Sequence, residues 1–301
     1  MHGYTGMTSS PGARNRVAAN AQFAWLHAGA GMRRVLCSVS AAVLLAAGNA
    51  ALAFDHAYAP WDALLQRHVV VAPDGKSSRV DYAGLGAERS ALQACLDGLS
   101  SITQAEYSSW TRAQRLAFLI NAYNAYTVQL VLTRYPDLKS IKDLGSLINS
   151  PWKKKFFVLL GAERSLDDVE HSFIRAPGAF DEPRIHFALN CASVGCPMLR
   201  DHAYVAEGLE AQLEDSVRRF LGDRSRNRYD PASGALEVSR IFDWYKADFD
   251  QGEHGAGSVS RFLARYAEQL ADGTAARASV QQGQAKIRYL DYDWTLNDAA
   301  R

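Results

Sequence analysis

The sequence has little of what marks several functional classes. Its charges nearly cancel, with 33 Lys and Arg against 32 Asp and Glu in 301 residues, a formal net charge of +1. The basic cluster Lys153-Lys154-Lys155 is short and reads as a solvated strand edge. A nucleic-acid surface needs a basic stripe, so nucleic acid is not an expected partner. Four cysteines are too few for a disulfide-built scaffold. There is no Gly-rich phosphate loop, no His-Glu-x-x-His helix and no Gly-x-Ser-x-Gly elbow, so no cofactor and no resident metal is expected. Repeats and low-complexity linkers are also missing after Phe54.

Long apolar runs are scarce too. The one that stands out, Ala41 to Ala47, follows Arg33-Arg34 and precedes Ala51-Leu52-Ala53. A positive flank, a short apolar stretch and small residues at a cleavage site make the pattern of a secretory signal. The run is well short of the ~20 residues that span a bilayer. Cys37 precedes it, which argues against a lipid-anchored protein. Residues 32–53 are therefore expected to be a signal peptide, and residues 1–31 a mis-annotated or disordered leader with Met32 as the true start. The mature chain would begin near Phe54, with no stable membrane anchor, in the periplasm or outside the cell.

Residues 54–301 suit one domain. Trp61 to Val71 reads as a helix running into a strand. Pro73-Asp74-Gly75 turns it towards a second strand at Arg79 to Tyr82. Helical periodicity covers Glu88 to Leu99 and Thr103 to Tyr135, and Pro136 stops it. Lys155 to Arg164 reads as strand, turn and strand. Ser165 with Asp168 makes a capping box, which predicts a helix over Leu166 to Arg175. Arg184 to Asn190 is read as a strand, Tyr204 to Leu221 as a helix, and Pro231 to Gly234 as a hairpin turn. Helices near Phe242 to Phe249 and Val259 to Leu270 and a strand at Lys286 to Asp291 follow. Helices and hairpins interleave irregularly, so the fold class is α+β, one mixed, helix-rich domain with several short strands.

Three groups of residues can carry chemistry. In Arg184 to Pro197, strand alternation puts His186 and Asn190 on one face and Cys191 on the other, with Cys196 in the following loop. In Asp167 to His171, Asp167 lies four residues before His171, close enough on a helix to orient the imidazole, and Glu170 lies beside it. In Asn121 to Thr127, Asn121 and Asn124 are amides on an apolar helix. They are expected to be buried and hydrogen-bonded, bracing a loop or donating to an oxyanion. Trp152, Trp244 and Trp294 read as core residues, and His56, His68, His202 and His254 as isolated surface residues.

The strings Asn121 to Thr127, Leu166 to His171, His186 to Pro197, Ile241 to Tyr245 and Tyr289 to Trp294 together resemble the DUF547 family, a domain of unknown function. The resemblance runs from about Tyr82 to Asn297. It implies no activity, so the chemistry rests on the residues. With Cys37 removed, Cys95, Cys191 and Cys196 remain. A Cys191–Cys196 disulfide fits an oxidising compartment, with Cys95 as a buried core thiol. A thiol nucleophile at Cys191 is the second reading, after the disulfide, and the parts for it are at hand: His171 or His186 as base, Asp167 or Glu170 to orient it, and Asn124 among the oxyanion candidates. A zinc set of His171, His186, Cys191 and Cys196 has irregular spacing and no Cys-x2-Cys knuckle. The leading enzymatic expectation is a cysteine-dependent hydrolase or transferase acting on an amide or ester of a small-molecule or peptide ligand. The alternative is a non-catalytic binding or structural domain whose disulfide shapes the loop.

Overall fold

The computed structural model describes residues 53–146, 149–251, 254 and 256–301. The expected leader and signal, up to residue 52, lie outside the described residues. No described helix is long and apolar enough to cross a membrane.

Helix α1 (Ala59–His68) starts on Pro60, whose fixed φ suits a first turn, and runs into β1 (Val69–Val71). Strand β1 pairs antiparallel with β2 (Ser78–Val80) across the turn that carries Gly75. Helix α2 (Tyr82–Ala87) is capped by Asp81, and α3 (Arg89–Ser100) buries Leu92, Leu96 and Leu99. The long helix expected from Thr103 is two elements, α4 (Gln104–Ser109) and α5 (Arg112–Leu132). Thr111 separates them because its hydroxyl takes the Gln114 amide while the Gln114 side chain accepts from the Thr111 amide. Helix α5 is apolar on nearly every side from Leu116 to Leu132, and this stretch is almost wholly buried. It is the axle of the domain.

Strands β3 (Phe157–Leu159) and β4 (Ala162–Arg164) pair antiparallel about the expected turn, with Phe157 opposite Arg164 and Leu159 opposite Ala162. Ser165 and Asp168 form the predicted capping box, at 2.9 and 3.0 Å. The helix that follows, Asp168–Ile174, is wound with a π-type turn, and the Arg175 amide reaches back five residues to the Glu170 carbonyl at 2.8 Å.

The strand expected at Arg184 to Asn190 is instead a 3-10 helix, Pro183–Phe187. Glu182 caps it by accepting from the Arg184 amide at 3.1 Å, and the same carboxylate holds the Arg184 guanidinium. Every residue from Pro183 to Asn190 is buried, and a short run buried on all sides carries no period to separate helix from strand. The expected alternation of His186 and Cys191 across two faces does not apply.

Helix α6 (Leu209–Gly222) follows a 3-10 turn at Ala206–Gly208. Strands β5 (Arg228–Asp230) and β6 (Ala235–Val238) form the second predicted hairpin, and β7 (Lys286–Tyr289) joins β6 in parallel. The expected helices near Phe242 and Val259 are each broken in two: α7 (Ile241–Trp244) and α8 (Lys246–Phe249), then α9 (Val259–Ala264) and α10 (Ala267–Leu270). A further helix, α11 (Thr274–Gln281), has no counterpart in the sequence reading. The fold is α+β and helix-rich, as expected.

Two apolar cores lie on either side of the 3-10 segment. Ile185, Ala188 and Leu189 belong to the core around α3 and α5. Phe187 points into the other, among Phe220, Phe242, Phe249 and Phe262. His186 therefore sits on the seam between the cores.

Candidate active site

A cleft of about 230 Å³ opens at that seam, and His171, His186, Cys191, Cys196, Asp167 and Glu170 all line it. Asn124 is the one candidate that does not. Its amide donates to the Ala188 carbonyl at 3.0 Å and its oxygen accepts from the Asn190 amide at 2.8 Å. Asn121 holds Tyr204 in the same way, at 2.7 and 3.0 Å. Both amides brace backbone, which is the first of the two roles expected for them.

The reactive turn is built by short contacts. Asn190 donates to the Pro197 carbonyl at 2.7 Å and accepts from the Ala192 amide at 3.0 Å, closing the loop on itself. Ala192 adopts φ 58°, a left-handed conformation that a side chain makes costly. Gly195 lets the segment at Tyr292 and Asp293 come close: a Cβ there would lie 2.9 Å from the Asp293 oxygen. That approach brings the Tyr292 hydroxyl to 3.2 Å from Cys191 Sγ.

Cys95, Cys191 and Cys196 are all free thiols, so the expected Cys191–Cys196 bridge is not formed here. The two cysteines meet through hydrogen bonds, with the Cys191 amide donating to Cys196 Sγ at 2.8 Å. Ser193 Oγ stands 3.2 Å from Cys191 Sγ and also bonds to the Tyr292 hydroxyl at 3.3 Å, so the three groups form one small cluster. Burial pushes the Cys191 thiol up, but hydrogen bonds from Cys196, Ser193 and Tyr292 outweigh it and hold the thiol below its ordinary value. Burial holds Cys196 and Tyr292 protonated, so both keep the proton they donate.

His186 is buried, and its ring stacks on Tyr245 with centroids 3.8 Å apart. Nε2 lies 2.7 Å from Asp248 Oδ2. Burial lowers the imidazole's affinity for a proton more than Asp248 raises it, so the ring is neutral near neutral pH. Burial works against the Asp248 anion, but His186 and Arg175 overcome it and hold the carboxyl well below the usual range. An ionised Asp248 takes Nε2–H, which leaves Nδ1 unprotonated, the form a general base requires. Arg175 completes the set with two bonds to Asp248, at 2.5 and 3.0 Å.

Asp248 and Arg175 are the residues that sequence reasoning missed. Asp248 stands 62 residues from His186 in sequence, and no local spacing links them. The carboxylates expected to orient a base are placed differently. Asp167 lies 3.6 Å from His171, the expected pairing, on the exposed side of the cleft. Glu170 is buried beside Tyr245, whose hydroxyl it keeps protonated, after burial itself. The zinc set does not converge: among the described residues, three or more donor groups meet within 4.8 Å only at Glu182, Glu210 and His254. Arg184 already occupies that cluster, bonded to Glu182 at 2.5 Å and Glu210 at 2.7 Å.

Two further expectations are corrected. Trp152, Trp244 and Trp294 all line the cleft, with Trp244 45% exposed, while Trp152 also packs against the core around α3 and α5 as expected. His68 is buried and bonded to Glu88 at 2.8 Å, so it is no isolated surface residue.

No curated protein and no solved structure matches the chain. Residues 107–221, which hold α5, the capping box, His171, His186 and both cleft cysteines, match the family model described as protein of unknown function, DUF547, so this stretch of the chain is similar to that family.

Proposed function

We propose that the domain is a cysteine-dependent hydrolase or transferase acting on an amide or ester. The observation that carries this reading is Cys191: its sulfur is held below the ordinary thiol value by three donors, in one cleft with a neutral His186 aligned on Asp248. His186 takes the Cys191 proton as Sγ attacks the carbonyl carbon, and the imidazolium so formed gives that proton to the amine or alcohol that leaves as the thioester forms. Water or an acceptor nucleophile then breaks the thioester, with His186 taking its proton. The roles are Cys191 as nucleophile, His186 as base and Asp248 as the orienting acid, with Arg175 positioning Asp248. Export, as the pattern at residues 32–53 suggests, would place this thiol in an oxidising compartment.

A second reading, a binding domain with a structural bridge, draws on the closeness of Cys191 and Cys196. Thiol counting on the denatured, unreduced protein separates the two. The hydrolase reading expects three reactive thiols after Cys37 is removed, and the bridged domain expects one. The chemistry itself is tested by mixing the protein with p-nitrophenyl acetate and following release of nitrophenol. A stoichiometric burst that disappears in Cys191→Ala and persists in Cys95→Ala is expected. A single free thiol, or no difference between the two variants, would sink the hydrolase.

A further inference from the structure

The cleft beside Cys191 has a chemical character that narrows its substrate. Its lining includes the indoles of Trp152, Trp244 and Trp294 and the phenols of Tyr123, Tyr245 and Tyr292. The rings are arranged against one another: Trp244 stacks on Trp294 with centroids 5.7 Å apart and touches Tyr292 at 4.9 Å. Trp152 meets Trp294 edge-on at 5.8 Å. Trp244 is 45% exposed, so this aromatic wall ends in a large apolar ring open to solvent.

The carboxylates in the lining are Asp167 and Glu170, accompanied by His171 and the neutral His186, and among the described residues no Lys or Arg lines it. Asp167 is matched by His171 at 3.6 Å. Glu170 is 7% exposed, takes a hydrogen bond from the Tyr245 hydroxyl and feels Arg175 and His186 at longer range, but no Lys or Arg among the described residues makes an ion pair with it. A buried carboxylate without a counter-ion is costly unless something cationic reaches it. The wall also shows a taste for cations, since Lys142 Nζ sits 3.8 Å over the ring of Trp294.

From the aromatic wall and the unmatched Glu170 carboxylate we infer that the cleft binds an organic cation, so that the amide or ester cleaved at Cys191 carries an amine or quaternary ammonium group. This rests on the hydrolase reading for the reaction, but the binding site stands without it. The ammonium lies against the faces of the cleft indoles, whose negative quadrupoles attract it, and Glu170 supplies the opposite charge. A neutral sugar would use the same rings and could hydrogen-bond to Glu170 through its hydroxyls but would gain no charge attraction, and an anionic substrate would be repelled by it.

The test is a titration of the Cys191→Ala protein with choline, read by quenching of tryptophan fluorescence at constant ionic strength. The control ligand is 3,3-dimethyl-1-butanol, the uncharged isostere of choline. Saturable quenching by choline is expected, about tenfold tighter than by the alcohol. Trp244→Ala, a change at an exposed ring, should weaken choline binding without altering the melting temperature. Glu170→Gln should bring choline and the alcohol close together in affinity. Equal affinity of the two ligands in the parent protein would overturn the proposal in favour of a merely apolar cleft, and tighter binding of methyl glucoside would overturn it in favour of a sugar platform. Because Cys191 is absent from the protein titrated, binding of choline would survive a failure of the hydrolase. Conversely, a p-nitrophenyl acetate burst with no choline binding would leave the hydrolase and remove only the cation site.

Discussion

The two histidines of the cleft stand in opposite settings. His186 is 5% exposed, clamped between Tyr245 and the Asp248 carboxylate. His171 has a side chain 40% exposed, 3.6 Å from Asp167, on the turn of π-type helix opposite. Arg175 joins the two regions, gripping Asp248 with two bonds while its other nitrogen meets His171 Nδ1. The buried histidine is fixed in one tautomer and one orientation by its surroundings. The half-exposed one is held only by groups at the cleft mouth, Arg175 at Nδ1 and Asp167 at 3.6 Å from Nε2, and faces solvent. A general base has to be placed before the substrate arrives, and that difference assigns the role to His186.

The most damaging way to break the contrast is to remove the carboxylate on the buried side. Asp248→Ala leaves the Arg175 guanidinium and the His186 Nε2–H unpaired in a partly buried setting, and should cost about 3 kcal/mol of unfolding free energy. Asp167→Ala removes only a long contact to a half-exposed ring and should cost under ~1 kcal/mol. Urea denaturation of the two variants checks this, and equal losses would erase the distinction between the regions.

Next in size is the support under His186. Asn124 holds the Ala188 carbonyl and the Asn190 amide, which fixes the backbone that leads from His186 to Cys191. Asn124→Ala leaves both groups buried without a partner and should cost about 2 kcal/mol, visible as a lower melting temperature. A variant that kept its full stability but lost choline binding or the thiol burst would return Asn124 to the chemistry.

These two residues also mark where the sequence was legible. Asn121 and Asn124 stood out because amides on an otherwise apolar helix must be buried and bonded, and the helix period placed them correctly. The capping box at Ser165 and Asp168 was readable for a similar reason, since its rule is local. Asp248 was not readable. It belongs to a four-residue helix too short to show a period, and its partners lie far away in sequence. The 3-10 segment at Pro183–Phe187 misled because burial on every side removes the alternation that separates strand from helix. The aromatic rim was misread because an indole in a sequence looks the same whether it fills a core or lines a cleft. What propagates along the chain could be read, and what is made by distant segments meeting at the seam could not.

Acid should act on the buried region first. The folded-state affinity of His186 for a proton is below its unfolded value, so the stability its burial allows is fully present above about pH 6.5 and is lost as the pH falls towards the lowered folded value. Asp248 has a depressed folded value too, and its contribution is present above about pH 4 and lost only below that. The urea midpoint should therefore drop in a first step as the pH falls below about 6.5, and in a second below about pH 4. The first step should vanish in His186→Asn and persist in His171→Asn. A first step that followed His171 instead would mean that the exposed ring is the one coupled to the fold.

The smallest effect expected is that of His171 on the thiol. If His186 is the base, the rate at which iodoacetamide alkylates Cys191 should rise with pH along nearly the same curve in His171→Ala as in the parent. Hydrogen bonds from Cys196, Ser193 and Tyr292 set that thiol's proton affinity, and none of them involves His171. Stability should also change by no more than ~0.5 kcal/mol, since the ring is exposed and its contact with Asp167 is long. Tyr292→Phe supplies the positive control, because it deletes one of the three donors and should move the alkylation curve to higher pH. If His171→Ala moved the curve as far as Tyr292→Phe does, the exposed histidine would have to reach the sulfur during reaction. The base would then be a residue brought in by motion of the Asp168–Ile174 turn, and His186 would be left as part of the wall that holds Tyr245 and Arg175 in place.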